Sequence, residues 1–461
     1  MAKPRSVASR RPAEDSRFSL PLGDLHQLAR DTVAAAMKGG ASACEADVSE
    51  GFGQSVTVRQ GEVETIEYNR DKGIGVTVYL GQRKGYASTS DFSPGAVQQT
   101  VEAALAIARF TAEDPCAGLP EPELLARDWV DPELYYPWRA PVEESIDLAQ
   151  RCEQAAFAVS PLIKNSEGAT ISMQEGQFAT ANNLGFSGGY PTSRHYIACS
   201  VIAGKRGKRA AMQRDDWYST HRDPADFPAP EEIGDYAARR ALSRLDSRKV
   251  KTCEVPVIFE APIACGLLGN FVYAASGGSL YRKASFLVDS LGKQIFAPGV
   301  TISERPDLPK GLASGPFDND GVATRSRQVV ENGVLNGYFL SVYTARKLGM
   351  QTTGNAGGCH NLILQSGKQD LAAMIKSLKR GLLVTELLGQ GVNYVNGDYS
   401  RGAAGYWIEN GEIVHPVEEV TIAGNLKDMF RQIAGIGNDV VVRGSKQSGS
   451  ILIERMTVAG D

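Results

Sequence analysis

The sequence predicts an α+β fold, with an amino-terminal domain of helices and an antiparallel meander followed by a carboxy-terminal domain made mainly of antiparallel strands. Two observations predict it. Segments with apolar residues at helical spacing and segments with period-two alternation both occur before residue 246. After that position the regular segments are mostly short strands separated by turns that contain glycine.

The amino-terminal elements begin with a helix from Leu22 to Met37, which Gly39 and Gly40 stop. Four alternating segments follow, SVTVRQ, VETIEYN, IGVTVYL and GYASTS. Turn residues separate them at Gly61, at 69–73 and at 81–84, so we expect a four-stranded antiparallel meander. A second helix is predicted from Pro94 to Arg109, with Ser93 as its N-cap.

The middle of the chain predicts two further helices around a β region. VEESIDLAQRCEQAAFAV is amphipathic at helical spacing, and residues 164–212 alternate as strands, with ISMQEGQFATANNLG as a hairpin. The prolines and acids of HRDPADFPAPEE break any period and predict a linker. A helix is expected at 231–246, after that linker.

The carboxy-terminal half contains two Glu-Asn-Gly turns. Asn332-Gly333 and Asn410-Gly411 suit type I′ hairpin turns, which need positive φ at both central residues. Helices are predicted near Met374–Leu388 and Leu426–Ile433. These elements lead to three expected regions: a disordered tail at 1–20, an α+β domain at 21–230 and a β-rich domain at 231–461.

Composition excludes several classes of protein. The formal net charge of -4 gives no basic bias of the kind that accompanies nucleic-acid binding, and the Lys205–Arg209 cluster is interpreted as a solvated hairpin turn. No segment reaches the roughly 18 apolar residues of a membrane helix. The basic start has no apolar centre, and the seven scattered cysteines form no C-x-x-C pair. A cytoplasmic protein without disulfides is therefore expected.

No motif by itself assigns a catalytic chemistry. The five histidines are too far apart for a His-Glu-x-x-His helix, although a site assembled from His195, His221 and Cys359 with His360 stays open. No G-x-S-x-G nucleophile elbow or Walker loop is present. The glycine-rich strings GNAGGCHN and GDYSRGAAGYW are typical either of tight turns or of backbone that lies against a peptide.

Several long strings resemble one family. RKLGMQTTGNAGGCHNLIL at 346–364 and the stretch from GLLVTELLGQG to TIAGNL at 381–426 closely resemble the PmbA (TldE) branch of the TldD/PmbA peptidases. GIGVTVYLGQRKGYAST at 73–89 and the closing MTVAG resemble it as well. The resemblance implies a TldD/PmbA-like fold and a heterodimeric metallopeptidase that acts on small or unfolded peptides in the cytoplasm.

The resemblance also implies where a metal site belongs. The TldD branch carries His-Glu-x-x-x-His before Gly-Leu-x-Gly-Asp-Phe, and this chain has GLLGNF at 266–271. Glu260 then takes the place of the first histidine, Ala261 that of the glutamate and Cys265 that of the second histidine. The TldD cysteine ligand near the carboxy terminus has no counterpart, because the last cysteine is Cys359. We expect no zinc in this chain.

The expected role follows from that substitution. The chain is predicted to have no catalytic residues of its own, to pair with a TldD-type subunit that holds zinc, and to form part of the peptide cavity. Asn355, Ser400, Arg401 and Tyr406 are the expected cavity contacts, with Arg401 either binding a peptide carboxylate or holding its own loop by an internal ion pair. Two alternatives remain open, an independent metallopeptidase with a non-standard site and a non-enzymatic peptide-binding regulator.

Overall fold

The computed structural model describes residues 17–205 and 212–460. The helices are α1 Leu22–Lys38, α2 Pro94–Phe110, α3 Val142–Val159, α4 Pro230–Ser243, α5 Ala261–Ala274, α6 Gly277–Tyr281, α7 Val342–Leu348, α8 Leu371–Lys376 and α9 Leu426–Arg431. The predicted tail, except for 17–20, and the predicted basic turn beyond Lys205 lie outside the described residues. None of the helices in the described ranges combines the length and apolar character needed to cross a membrane.

The strands alternate with these helices along the chain. They are β1 Ala43–Arg59, β2 Glu62–Leu80, β3 Arg83–Thr89, β4 Ile163–Asn182, β5 Ser187–Gly188, β6 Pro191–Gly204, β7 Met212–His221, β8 Cys253–Phe259, β9 Ile302–Arg305, β10 Arg327–Glu331, β11 Val334–Leu335, β12 Asn361–Leu364, β13 Arg380–Leu388, β14 Asp398–Glu409, β15 Glu412–Asn425, β16 Ile433–Ile436, β17 Val441–Arg443, β18 Lys446–Ser448 and β19 Ile451–Ala459. Helices and mainly antiparallel sheets together confirm the α+β class.

The chain divides into two compact units that do not follow the predicted boundary at residue 230. The first comprises residues 17–54, 67–117 and 174–193, and the second comprises 55–66, 118–173 and 194–460. Both are discontinuous in sequence because the long strands β1, β2 and β4 each contribute residues to both. Composition along the chain does not reveal such a division, since it depends on which strands pair.

In the first unit, α1 and α2 pack on strands in the order β3-β2-β1-β4. The Ser93 hydroxyl accepts a hydrogen bond from the backbone N–H of Ala96, as expected for the N-cap of α2. The predicted turn at 69–73 is wrong, because β2 runs without a break through this segment. Residues 62–72 are all exposed, so their polar side chains are compatible with continued extended structure.

The amino-terminal part of the second unit packs α3 and α4 against β4, β6 and β7. Most of the string predicted as a hairpin forms the last part of β4, and the turn follows Asn182. The two helices approach closely at Gly234, where an added Cβ would lie 1.9 Å from the carbonyl oxygen of Cys152. Only glycine allows this crossing, which fixes the distance of α4 from α3.

The rest of the second unit is β-rich. One sheet has the order β15-β14-β13-β8-β19-β16, and another has the order β11-β10-β9-β12-β18-β17. Both predicted Asn-Gly turns are confirmed, with φ of 49° and 81° at Asn332 and Gly333 and of 50° and 82° at Asn410 and Gly411. The helix predicted at 374–388 is wrong beyond Lys376, because the apolar run from 380 forms β13 in the middle of the first sheet.

Candidate functional site

The candidate site lies where β8 meets α5. β8 is a buried strand between β13, to which it is parallel, and β19. Glu260 follows it as the N-cap of α5, and its backbone N–H donates to the carbonyl of Val384 on β13 at 3.0 Å. A buried strand and the first turn of a helix therefore hold Glu260 and Ala261 at a defined place.

The Glu260 carboxylate binds an arginine. Arg240 of α4 donates from one guanidinium nitrogen to both carboxylate oxygens of Glu260, at 2.9 and 3.1 Å. Its Nε donates to Asp215 of β7 at 3.2 Å. The Arg240 and Glu260 side chains are only 13% and 14% exposed, so the pair is largely shielded from water. Glu260 is therefore a partner of a guanidinium rather than a free carboxylate.

The ionisation of this cluster follows from its burial. Burial raises the pKa of Glu260, and the Arg240 guanidinium opposes that shift. Burial by itself lowers the pKa of Arg240, but Glu260 and Asp215 outweigh it and hold that pKa above its ordinary value. Arg240 is consequently a permanent positive charge between two carboxyl groups.

Ala261 and Cys265 occupy the other two motif positions, and both are buried. Ala261 is buried at the first turn of α5 and has no donor atom. Cys265 is 3% exposed, and its Sγ lies 3.7 Å from the carbonyl oxygen of Lys446. Burial raises the pKa of Cys265 to about 11, although Arg443 and Lys446 oppose the shift. As the structure shows them, the three positions offer one carboxylate that already binds Arg240 and one buried thiol, with no imidazole among them.

A cavity of about 510 Å³ adjoins the Arg240 cluster. Its lining is rich in charge, with the basic residues Arg214, Arg240, Arg244, Arg401, Arg443 and Lys446 and the acidic residues Asp215, Asp216 and Glu386. Pro262 and Ile263 bring the amino-terminal turn of α5 to the same cavity, and Trp217 and Tyr218 add aromatic faces. Of the three motif positions, Cys265 lines this polar, mostly basic pocket, and Glu260 binds the lining residue Arg240.

The structure separates the four predicted cavity contacts. Arg401 lines the cavity, and its Nε lies 3.4 Å from the carbonyl oxygen of Leu388. The Tyr406 hydroxyl is hydrogen-bonded to Ser243 of α4, in the electrostatic neighbourhood of Arg240. Ser400 is an exposed residue of β14 and lies outside the residues that line this cavity.

Asn355 has a different place. It is buried, and its amide nitrogen donates to Glu304 at 2.7 Å and to the carbonyl of Gly358 at 3.0 Å. Its amide oxygen accepts from Arg327 at 3.0 Å. These contacts hold the glycine-rich loop to β9 and β10, so the amide serves the loop rather than the cavity at Arg240.

The histidines considered for an assembled site are distributed over two places. His195 and His221 are register partners on β6 and β7. His360 belongs to the glycine-rich loop, where its ring nitrogens lie 3.1 and 3.0 Å from the carbonyl oxygens of Ala313 and Gly354. Within residues 17–205 and 212–460, no group of three or more His, Cys, Asp or Glu side chains is positioned to hold a metal ion.

Comparison with protein-family models accounts for most of the chain. Three models match in sequence order: PmbA/TldA metallopeptidase domain 1 at residues 44–108, the central domain at 135–245 and the C-terminal domain at 252–460. The chain belongs to the TldD/PmbA metallopeptidase family. This TldD/PmbA protein is 48% identical to Metalloprotease PmbA of Escherichia coli O157:H7 over 422 residues. The alignment covers 92% of this chain and 93% of the relative.

Two further relatives support the PmbA branch and the fold. The Metalloprotease PmbA homolog of Haemophilus influenzae is 44% identical and covers 98% of this TldD/PmbA chain and 100% of the relative. A crystal structure from Bacteroides thetaiotaomicron, described as a putative modulator of DNA gyrase, matches with a TM-score of 0.89 at 25% identity and covers 94% of this chain and 98% of that one.

Sequence reasoning about the TldD/PmbA motif missed most of the basic cavity. Arg240 and Arg244 lie four residues apart, which places two positive charges on one face of a helix and indicates that acids must face them. That signal was available. The partners were not, because Asp215, Glu260 and Glu386 come from three separate strands or strand ends.

Proposed function

We propose that this chain is the subunit that does not bind the catalytic zinc in a heterodimeric TldD/PmbA-type peptidase, and that a TldD-type subunit supplies the metal. The observation that carries the proposal is the buried pair of Arg240 and Glu260. A guanidinium cation bound to the carboxylate at the first motif position opposes a second, divalent cation there, because like charges repel strongly in a poorly solvated site.

The chemistry of peptide hydrolysis supports the same conclusion. Zinc-dependent peptidases need an open coordination position and a carboxylate that takes the proton from the attacking water. Ala261, at the position of that carboxylate in the TldD motif, has no group that can take a proton. Hydrolysis by the complex then belongs to the partner subunit, and this chain contributes binding surface.

The role left for this chain is to form part of the wall of a cavity that receives small or unfolded peptides. The cavity beside Arg240 supplies surface for this role, because its basic and aromatic side chains can bind polar and charged groups of a peptide. The seven cysteines, all within the described residues, form no disulfide bonds, and a reducing cytoplasm keeps thiols in this state. We therefore place the complex in the cytoplasm.

The test is to purify the chain alone, a TldD-type subunit alone, and the two together. We expect a one-to-one complex in size-exclusion chromatography, zinc from the TldD-type subunit only, and cleavage of an unfolded peptide only by the mixture. A matched control replaces the partner's zinc-binding histidines and should keep the complex while abolishing cleavage.

Other outcomes would favour the alternatives. Stoichiometric zinc that survives dialysis of the lone chain, together with cleavage, would establish an independent metallopeptidase. Peptide binding by the lone chain without any complex or cleavage in the mixture would indicate a non-enzymatic regulator. Either result would overturn the heterodimer proposal.

A further inference from the structure

The basic residues around the cavity fall into two groups. Three are neutralised: Arg240 by Glu260 and Asp215, Arg244 by Asp215 at 3.5 Å and Glu386 at 2.5 Å, and Arg214 by Glu167. Three others, Arg401, Arg443 and Lys446, have no carboxylate within ion-pair distance among the residues that the structure describes. The cavity therefore presents three cations without an ion-pair partner in the described part of the chain, and its remaining carboxylate, Asp216, lies 3.9 Å from Arg214.

Arg443 is held in place by aromatic rings. Its guanidinium lies 4.5 Å from the centre of the Trp217 ring and 4.2 Å from that of Tyr218. Such stacking orients the guanidinium plane and leaves its N–H donors at the edge, where one nitrogen donates to the carbonyl oxygen of Val442 at a long 3.5 Å. A positioned arginine of this kind is suited to a planar anion such as a carboxylate.

Lys446 lies on the neighbouring strand of the same hairpin. β17 and β18 pair with Arg443 opposite Lys446, across the turn at Gly444. Both cations act on the Cys265 thiol, because each opposes the effect of burial on its pKa. Their positive potential therefore extends to the buried wall of the cavity that α5 forms.

The first turn of α5 reinforces that potential. Pro262 and Ile263 line the cavity, and the amino-terminal end of this 14-residue helix carries a partial positive charge. Arg401 approaches from β14, and its Nε donates to the carbonyl oxygen of Leu388 at 3.4 Å. Cations from two different parts of the sheet structure and one helix end thus line a single cavity.

We propose that this cavity binds a carboxylate of the peptide substrate, with Arg443, Lys446 and Arg401 as its ligands. The inference rests on the proposed function, since it names the chemical group that this subunit recognises in peptides entering the complex. A carboxylate reaches the cavity from one of two sources, the carboxy terminus of the peptide or an aspartate or glutamate side chain.

The test measures peptide binding to the full chain, with calorimetry and intrinsic tryptophan fluorescence, to which Trp217 in the cavity lining contributes, as readouts. Three peptides of otherwise equal sequence are compared: one with a free carboxy terminus, one amidated, and one amidated but with a single glutamate. We expect the amidated peptide without glutamate to bind about tenfold more weakly than whichever carboxylate peptide the cavity selects. Added salt should reduce that difference.

Substitutions of the proposed ligands test whether the preference for carboxylate peptides arises in this cavity. Arg443→Gln and Lys446→Gln should each weaken binding of the carboxylate peptide by about tenfold and leave binding of the amidated peptide unchanged. Lys379→Gln is the matched control, since Lys379 is exposed and lies outside the cavity lining. Arg443→Lys tests whether the planar guanidinium, rather than charge alone, is needed.

Equal binding of all three peptides, or binding that the cavity variants do not change, would overturn the carboxylate site. The proposed function has a separate outcome. Zinc-dependent cleavage by the two-subunit mixture with no preference for carboxylates would leave the heterodimer intact and remove this inference. Carboxylate-selective binding by the chain, with no cleavage in the mixture, would support the carboxylate site and remove the proposed role in a heterodimeric peptidase.

Discussion

The guanidinium of Arg240 and the carboxylate of Glu260 form a bridge between α4 and the first residue before α5, with contacts of 2.9 and 3.1 Å. Arg240 also holds Asp215. The same group therefore connects a helix, a strand and the strand-to-helix junction on which the family motif lies. Removal of Arg240 leaves the Glu260 carboxylate buried without its counter-ion, whereas removal of Glu260 leaves Arg240 with Asp215.

The first prediction concerns Arg240→Met. The variant leaves Glu260 without its guanidinium partner and Asp215 with Arg244 alone, and we expect a loss of about 3 kcal/mol in the free energy of unfolding of the second unit. Urea titration followed by circular dichroism measures it. Arg239→Met is the control, because Arg239 is exposed and its ion pair is with the neighbouring Asp235 on the same helix, so its loss should have little effect on stability. Equal effects of the two variants would contradict the assigned role of Arg240.

The second prediction concerns the thiol of Cys265. With a pKa of about 11, its thiolate fraction at about pH 7.5 is below about one in a thousand. We expect iodoacetamide to leave Cys265 unmodified in the folded protein at that pH, while the half-buried Cys116 reacts first. Peptide mapping by mass spectrometry reports both sites in one sample. Rapid alkylation of Cys265 in the native chain would show that its environment is not the buried one described.

The third prediction concerns Asn355. Asn355→Ala removes one hydrogen-bond donor from the buried Glu304 carboxylate and should lower the free energy of unfolding by about 2 kcal/mol. Asn355→Asp should be worse, because it brings a second carboxylate against Glu304. Gln351→Ala, an exposed amide four residues earlier, should have no measurable effect. Thermal unfolding of the three variants tests this, and unchanged stability in Asn355→Asp would exclude the network.

The fourth prediction concerns the pH dependence of stability. Burial, with a contribution from Asp320, raises the pKa of Asp318 to about 7, although the backbone N–H groups of Ala356 and Val322 oppose the shift. Because the folded-state pKa is above the unfolded one, folding takes up a proton between about pH 4 and pH 7. The stabilisation is therefore complete below about pH 4 and is lost as the pH rises through 7.

Asp318→Asn provides the measurement. Its amide cannot accept every bond that the carboxyl group accepts, so the variant should be less stable overall. The informative quantity is the slope: the decline in unfolding free energy between about pH 4 and pH 7 should be smaller in the variant by on the order of 3 kcal/mol. Parallel pH profiles for the two proteins would contradict the raised pKa.

The sequence correctly predicts the caps, helices and turns that depend on neighbouring residues. The Ser93 cap, the helix at 142–159 and both Asn-Gly turns depend on residues adjacent in sequence, and all agree with the structure. The errors lie where tertiary context decides. Residues 380–388 have the apolar content of a buried helix, but they form a strand because β8 and β14 flank them on both edges.

At the candidate site, too, local sequence predicts some features and tertiary contacts determine the others. Resemblance to the family locates the motif positions Glu260, Ala261 and Cys265, because they lie within a short stretch of sequence beside the GLLGNF string. The pairing of Glu260 with Arg240 depends on how α4 packs, and no pattern within either segment encodes it. Asn355 was expected at the cavity because glycines surround it, and its contacts with Glu304 come from β9, about fifty residues earlier.

The close crossing of α3 and α4 at Gly234 has a consequence for the cavity. Arg240 lies on α4 and Arg244 is its C-cap, both within ten residues of that glycine, so the backbone packing there affects how far both guanidinium groups reach. A methyl group at position 234 would push α4 away from α3, and the guanidinium groups of Arg240 and Arg244 would shift with it. The electrostatic character of the pocket is thus governed by a position that has no side chain and touches no ligand.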